Sequence, residues 1–261
     1  MLETLAPSAA LPALDLTMIG LLTLAGVWAG GQNALAGGGS FITLPALIAA
    51  GLDPKLANIT STMALFPGQI TTGLAGRQMV AGAGQLSFRS LAIIALAGGV
   101  AGAMLLNATP VRVFSALVPW LVLAATLLFA WGTFGPKPAA DKPPPPAWLT
   151  TIAQSAIALY AGFFGGGAGI LTLASLTLAR VPVRHAAATK NVLLALANTT
   201  AAALFAFTGN VAWAHALVVG VGAMAGGYAG ARLLAVVPEK TLKVSVIVIG
   251  AALTVGLFAR G

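Results

Sequence analysis

Ten apolar segments, five before and five after a proline-rich break, constrain the fold of this chain more than any single motif does. The segments lie near 14–36, 40–50, 56–75, 88–107 and 112–133, and then near 148–164, 170–180, 184–208, 213–235 and 241–258. The break begins Gly135-Pro136-Lys137-Pro138, a composition typical of an extended linker. The sequence therefore predicts a first unit over 1–134, a linker over 135–147 and a second unit over 148–261.

The composition places both units in a membrane. Hydrophobic residues make up 59% of the chain and charged residues 7%, with a mean hydropathy of +0.97, which excludes an ordinary soluble surface. The 13 Lys and Arg against 5 Asp and Glu stand singly between apolar segments, as in cytoplasmic loops rather than in a nucleic-acid-binding surface. The first 13 residues contain no Lys or Arg, so we expect the N-terminus to be retained rather than cleaved as a signal peptide.

The two units resemble each other at an offset of 128 or 129 residues. Glycines, threonines and prolines recur in register; the matched pairs are Gly37 with Gly166, Thr43 with Thr172, Thr60 with Thr189, Gly98 with Gly226 and Pro110 with Pro238. Internal duplication of this kind is common in secondary transporters, where the substrate site lies at the repeat interface. We therefore predict an all-α integral membrane protein made of two five-segment repeats.

Two segments, 40–50 and 170–180, are too short to cross a hydrocarbon core of about 30 Å. Residues 14–50 as one straight helix would be about 55 Å long, which is too long for a single pass. The chain is therefore expected to turn at Gly37-Gly38-Gly39 and again at Gly165-Gly166-Gly167, forming a hairpin with a short half-helix in each repeat. Non-helical backbone at membrane depth is tolerated only in protein or beside a wet cavity.

Loop charge favours inverted over parallel repeats. With the N-terminus outside, nine basic residues fall on the cytoplasmic side: Arg77, Arg89, Lys137, Lys142, Arg180, Arg184, Arg232, Lys240 and Lys243. Only Lys55, Arg112 and Arg260 fall outside, and Lys190 lies within a helix. This asymmetry follows the positive-inside rule. A parallel arrangement of the repeats would scatter the same charges over both sides.

The glycine turns are the first candidate for a ligand site. Each precedes a short helix whose first N–H groups lack intrahelical partners, and a buried helix N-terminus carries roughly half a positive charge, which suits an anion. The candidate residues are Gly37, Gly38, Gly39 and Ser40 in the first repeat and Gly166, Gly167 and Gly169 in the second. The alternative is a purely structural turn. Gly98, Gly102, Gly226 and Gly230, by contrast, have the small-xxx-small spacing of closely packed helices.

Polar residues follow both short segments and add side-chain candidates. They are Asn58, Thr60 and Ser61 in the first repeat and Thr189, Lys190 and Asn191 in the second. Hydroxyl and amide donors suit an oxyanion, but the same groups often bond helices together in membranes. An ammonium within a span is costly and marks a functional candidate; snorkelling of Lys190 towards the cytoplasmic interface is the alternative.

The remaining titratable residues exclude several classes of site. Asp15, Asp53, Asp141 and Glu239 lie at segment ends or in loops, so no intramembrane carboxylate pair is available for a cation or proton relay. His185 and His215 are isolated, and Cys is absent. We therefore predict no metal, no cofactor, no nucleic-acid partner and no enzymatic activity.

The motifs resemble one known family. Two stretches carry the likeness: Gly37-Gly38-Gly39-Ser40-Phe41-Ile42-Thr43-Leu44-Pro45 with Ala57-Asn58-Ile59-Thr60-Ser61, and Gly162-Phe163-Phe164-Gly165-Gly166-Gly167-Ala168-Gly169 with Ala188-Thr189-Lys190-Asn191. Over nearly its whole length the chain is similar to the sulfite exporter TauE/SafE family. Ala174 stands where a second copy of Pro45 is expected, and Lys190 replaces a serine.

That resemblance implies a bacterial inner-membrane carrier for sulfite, organosulfonates or related small anions, often working as an exporter. Combined with the repeats, it predicts a secondary transporter with alternating access at a mid-membrane site. The expected partners are a small inorganic or organic anion and the lipid bilayer. An anion channel is the alternative function.

Overall fold

Ten α-helices follow one another in the computed structural model, which describes residues 14–35, 38–135, 144–208, 211–233 and 239–260. They are α1 (Leu16–Leu35), α2 (Ser40–Ala49), α3 (Pro54–Gly76), α4 (Phe88–Ala108), α5 (Val111–Phe134), α6 (Ala147–Phe163), α7 (Ala168–Leu178), α8 (Val183–Thr208), α9 (Trp213–Leu233) and α10 (Glu239–Arg260). No strand occurs within these residues. Each predicted segment coincides with one helix, which confirms the all-α class. Gly37 lies outside the described residues.

Several helices have the length and surface of membrane spans. Among the described residues, three are long and apolar enough to cross a bilayer: Phe88–Ala108, Val111–Leu128 and Val183–Thr208. Large apolar side chains such as Trp120 and Phe207 are exposed on the outer surface, where lipid rather than water suits them. The chain is therefore a multi-pass membrane protein.

The two short helices, α2 and α7, have 10 and 11 residues, so each is only about 15–17 Å long. Each is followed, two residues after its last helical residue, by a residue in the left-handed region, Gly51 with φ 91° and Arg180 with φ 66°. The N–H of the next residue then donates to a carbonyl of the last helical turn, at 3.2 Å for Leu52 and 3.0 Å for Val181. This arrangement stops each helix abruptly and satisfies its carbonyl groups.

Glycine allows the helix pair α1 and α9 to approach at backbone contact. A Cβ added at Gly26 would overlap the carbonyl oxygen of Val219, and one added at Gly226 would overlap that of Val27. The pair α4 and α6 is built in the same way, since a Cβ at Gly102 would overlap the carbonyl oxygen of Leu159. The predicted packing role of Gly98, Gly102 and Gly226 is confirmed, whereas only the backbone of Gly230 is described.

The helices α3 and α8 cross the centre of the bundle in opposite directions. Gly76 at the end of α3 lies beside Ala188 near the start of α8, and Gly73 lies beside Ala195. The pair α5 and α10 is also antiparallel, because Trp120 contacts Phe258 edge to face at 5.0 Å, whereas Gly250 lies beside Thr126. These contacts join the first half of the chain to the second.

Candidate functional site

The first glycine turn is held by a side chain that the sequence analysis did not single out. Gly38 has φ 89°, and Gly39 is the N-cap residue of α2. The N–H of Gly39 donates to Asn33 Oδ1 at 2.8 Å. A Cβ at Gly39 would lie 2.7 Å from the carbonyl oxygen of Ala29 and 2.8 Å from Asn33 Cγ. Glycine is therefore required here, and the predicted anion-binding amide of Gly39 already has a protein partner.

Ser40 begins α2 and is half-buried. Its hydroxyl makes no hydrogen bond within the described part of the chain. It therefore stays available as a donor at this turn.

The second glycine turn is enclosed by protein. Gly165 and Gly167 have φ of 75° and 77°, and the Tyr160 hydroxyl donates to the carbonyl oxygen of Gly166 at 2.6 Å. Asn58 Nδ2 donates to the carbonyl oxygen of Phe163 at 3.1 Å, tying α3 of the first half to the end of α6. Asn58 is thus brought to the second turn, as a structural tie.

The surroundings of this turn are apolar. A Cβ on Gly167 would lie 3.2 Å from Ala125 Cβ and 3.5 Å from Phe41 Cζ. Gly166, Gly167 and Gly169 are all buried. The turn is therefore packed between α2 and α5 of the first half of the chain.

The predicted hydroxyl donors also bind the protein itself. Thr60 Oγ1 accepts from the N–H of Ala212 at 3.2 Å, and Thr189 Oγ1 accepts from the N–H of Ala81 at 2.8 Å. Both threonines are fully buried, and each bonds to the backbone of the opposite half. Ser61 Oγ lies 2.5 Å from Thr43 Oγ1, in a bond between α2 and α3. These hydroxyls join helices rather than face open space.

Replacing either threonine by valine is expected to lower stability without changing anion affinity. Thr60→Val leaves the buried N–H of Ala212 unpaired, and Thr189→Val leaves the half-buried N–H of Ala81 unpaired. An unpaired buried donor costs about 1–3 kcal/mol. Thermal unfolding in detergent checks the loss of stability. Unchanged stability together with weakened anion binding would return these hydroxyls to the ligand site.

A cavity of about 540 Å³ lies between α1, α3, α8 and α9. Its walls are mostly apolar and are interrupted by a few polar side chains, Asn33, Gln69, Thr72, Lys190 and Asn191 among them. A volume of this size falls within the range of small-molecule sites. Of the predicted site residues, Lys190 and Asn191 line this cavity, while none of the described residues of the glycine turns does.

Lys190 is the most unusual group in the cavity wall. The residue is only 5% exposed, and its ammonium forms no hydrogen bond or ion pair with any residue that the structure describes. None of the described residues that line the cavity is acidic. The buried Lys190 thus has no counter-charge among the described residues, and an anion in this cavity would find a preformed one.

The sequence analysis missed a pair of amides at the centre of the bundle. Asn198 Nδ2 on α8 donates to Gln69 Oε1 on α3, and the two residues are 129 positions apart. Gln69 also lines the cavity, while Asn198 Oδ1 is buried without a partner within the described residues. Gln69 and Asn198 occupy equivalent positions of the two repeats, and a polar residue at the same place in two apolar segments would have predicted this pair.

Comparison with known families is decisive at this point. The sequence model described as sulfite exporter TauE/SafE matches residues 22–257. The chain belongs to this family. The match spans α1 to α10 and so includes both glycine turns and the cavity, and it confirms the resemblance noted in the two glycine-rich stretches.

Curated relatives of this TauE/SafE chain carry transporter names. It is 31% identical to "Probable membrane transporter protein ORF9" of Sinorhizobium sp over 246 residues, covering 93% of each chain. It is 29% identical to "Probable membrane transporter protein YfcA" of Escherichia coli (strain K12), covering 92% of this chain and 89% of the relative. A Haemophilus influenzae relative with a similar name is 27% identical over 92% of this chain and 94% of its own length. No solved structure matches the chain significantly.

Proposed function

We propose that the protein is a secondary transporter of small anions such as sulfite or organosulfonates, with export as its working direction. The observation that carries this proposal is the buried Lys190, whose ammonium has no partner among the described residues, in the wall of the cavity of about 540 Å³. Neutral donors line the same cavity, and an oxyanion needs both a counter-charge and such donors. The family membership supports transport as the general activity.

An inverted repeat is supported by the directions of equivalent helices. The helices α3 and α8 correspond in the duplication, as Thr60 and Thr189 show, yet they run antiparallel. The equivalent helices α5 and α10 run antiparallel as well. The packing is also reciprocal, because α1 packs on α9 as α6 packs on α4. Repeats related by an axis along the membrane normal would give parallel equivalents.

Alternating access is supported by a difference between two equivalent spaces. A narrow cavity of about 10 Å³, little more than room for one water molecule, lies among α4, α6, α7 and α8. Three residues lining the large cavity have repeat equivalents that line the narrow one: Leu65 with Leu194 and Gly68 with Ala197 at an offset of 129, and Ala223 with Ala95 at the offset of 128 that also pairs Gly98 with Gly226. One side of the repeat interface is therefore open and its counterpart closed, as expected for one state of a rocking carrier.

The open cavity faces the cytoplasm in this proposal. Thr72 and Lys190 line it near the helix ends that adjoin Arg77 and Arg184. These arginines belong to the basic loops that the positive-inside rule assigns to the cytoplasmic side. Such a state would load an anion from the cell interior, which suits an exporter.

Cysteine labelling tests the inversion and the orientation together. Because the natural chain contains no Cys, Asp53→Cys and Pro182→Cys each introduce a single thiol at an exposed position. The two positions are equivalent in the repeats. We expect an impermeant maleimide to label residue 53 from outside intact cells and residue 182 only in inside-out vesicles. Labelling of both from one side would contradict an inverted repeat.

Counterflow in proteoliposomes tests a carrier against the alternative, an anion channel. Vesicles loaded with unlabelled sulfite should take up labelled sulfite transiently above its equilibrium level, because a carrier exchanges its substrate across the membrane. A channel passes ions down their gradient and gives no such overshoot. Uptake without overshoot would favour the channel, and absence of any sulfite or sulfonate flux would reject small-anion transport.

A further inference from the structure

The Asn33 side chain connects the first glycine turn to the cavity that contains Lys190. Its Oδ1 accepts the N–H of Gly39 at 2.8 Å, and the residue lines the cavity. The identity of the two amide atoms is fixed by this contact, since a backbone N–H donates only to the oxygen. The donor nitrogen Nδ2 also lies close to the turn, 2.9 Å from the position that a Cβ on Gly39 would occupy. It makes no hydrogen bond to any described residue and is not sealed in the protein interior.

We propose that Asn33 Nδ2 is a direct donor to the transported anion, in the cavity that Lys190 also lines. The inference rests on the proposed function and deepens it. The ligand chemistry is an oxygen of a small oxyanion, such as sulfite or the sulfonate group of an organic anion. Lys190 is the independent sign of an anion in this cavity, because the residue is only 5% exposed and its ammonium has no partner among the described residues.

The glycine turn acts through Asn33 in this arrangement. Gly39 is the N-cap of α2, so its N–H lies at the positive end of that helix. Accepting this N–H fixes the orientation of the carboxamide and polarises it, which strengthens Nδ2 as a donor. The turn amide thus positions the donor and does not itself contact the anion.

The second repeat has no side chain equivalent to that of Asn33. The residue 129 positions after Asn33 is Gly162, which has no side chain and packs against the backbone of Gly99. The second turn is held instead by Tyr160 at the carbonyl oxygen of Gly166. One asymmetric anion site is therefore expected, on the side of the first turn.

Two substitutions at Asn33 distinguish a donor from a turn brace. In Asn33→Asp a carboxylate oxygen still accepts the Gly39 N–H, and a carboxylate suits a helix N-terminus, but the group facing the cavity becomes a negative acceptor. In Asn33→Ala both functions are lost. If Asn33 only holds the turn, Asn33→Ala should impair transport more than Asn33→Asp does. If Asn33 donates to the anion, Asn33→Asp should impair transport more.

The experiment measures KM for labelled sulfite in proteoliposomes, with thermal unfolding in detergent alongside. We expect Asn33→Asp to raise KM by about tenfold or more, to exceed the effect of Asn33→Ala, and to unfold near the wild-type temperature. Wild-type transport together with a normal KM in Asn33→Asp would overturn the role of Asn33 and leave the proposed function intact. A wild type that transports neither sulfite nor sulfonates would overturn both.

Discussion

Lys190→Met is expected to reduce anion transport more than any other single substitution at the cavity. Methionine keeps most of the length and the apolar character of the lysine stem but removes the only cationic group among the described residues that line the cavity. Loss of one charged hydrogen-bond partner costs about 1.5–3 kcal/mol of binding, or about 10- to 150-fold in affinity. The measurement is kcat/KM for labelled sulfite in proteoliposomes.

The stability of the same variant separates a functional lysine from a structural one. The Lys190 ammonium is buried and unpaired within the described chain, so replacing it with an apolar group should leave the unfolding temperature unchanged or raise it. Lys190→Arg serves as the matched control, because it keeps the charge and is expected to retain part of the transport. Full transport by Lys190→Met would remove Lys190 from the site.

Gly26→Leu is expected to have a large effect on folding. The Cβ that it adds would overlap the carbonyl oxygen of Val219 on α9, and a backbone atom cannot move aside as a flexible side chain can. Overpacking of a close-packed interface costs about 1–3 kcal/mol or more, and here it separates α1 from α9. We expect a lower unfolding temperature and loss of a monodisperse peak in detergent.

Gly20→Leu is the control on the same helix. Gly20 is exposed on α1, and nothing lies within 4 Å of the Cβ that would be added there. This variant should express and unfold like the wild type, apart from the general preference of helices for leucine over glycine. Equal behaviour of the two variants would contradict the close contact between α1 and α9.

The helices were predictable because the length of an apolar segment and the glycine or proline residues that bound it are local properties of the sequence. The ten segments match the ten helices of the described chain to within a few residues, and the two short helices end where left-handed turns at Gly51 and Arg180 stop them. The family resemblance was equally accessible, because its motifs are contiguous in sequence. The inverted arrangement of the repeats and the role of the turns remain proposals.

The site was only partly predictable, because partner choice is a tertiary property. Lys190 and Asn191, which the sequence analysis selected as polar residues within a span, line the cavity. Thr60 and Thr189 instead bond to backbone groups more than 100 residues away in the sequence. Asn33 was not predicted, because the hydrogen bond between its side chain and the Gly39 N–H depends on how the turn folds back on α1.

The central claim is that a small oxyanion binds in the cavity beside Lys190 and Asn33, and an anomalous-scattering experiment tests it most directly. Selenite is a heavier analogue of sulfite, and the anomalous signal from crystals grown with it would locate the selenium atom directly. We predict a selenium peak in the cavity with selenite oxygens within about 3.2 Å of Lys190 Nζ and Asn33 Nδ2. A peak at the enclosed second turn beside Gly167, with the cavity empty of selenium, would contradict the claim.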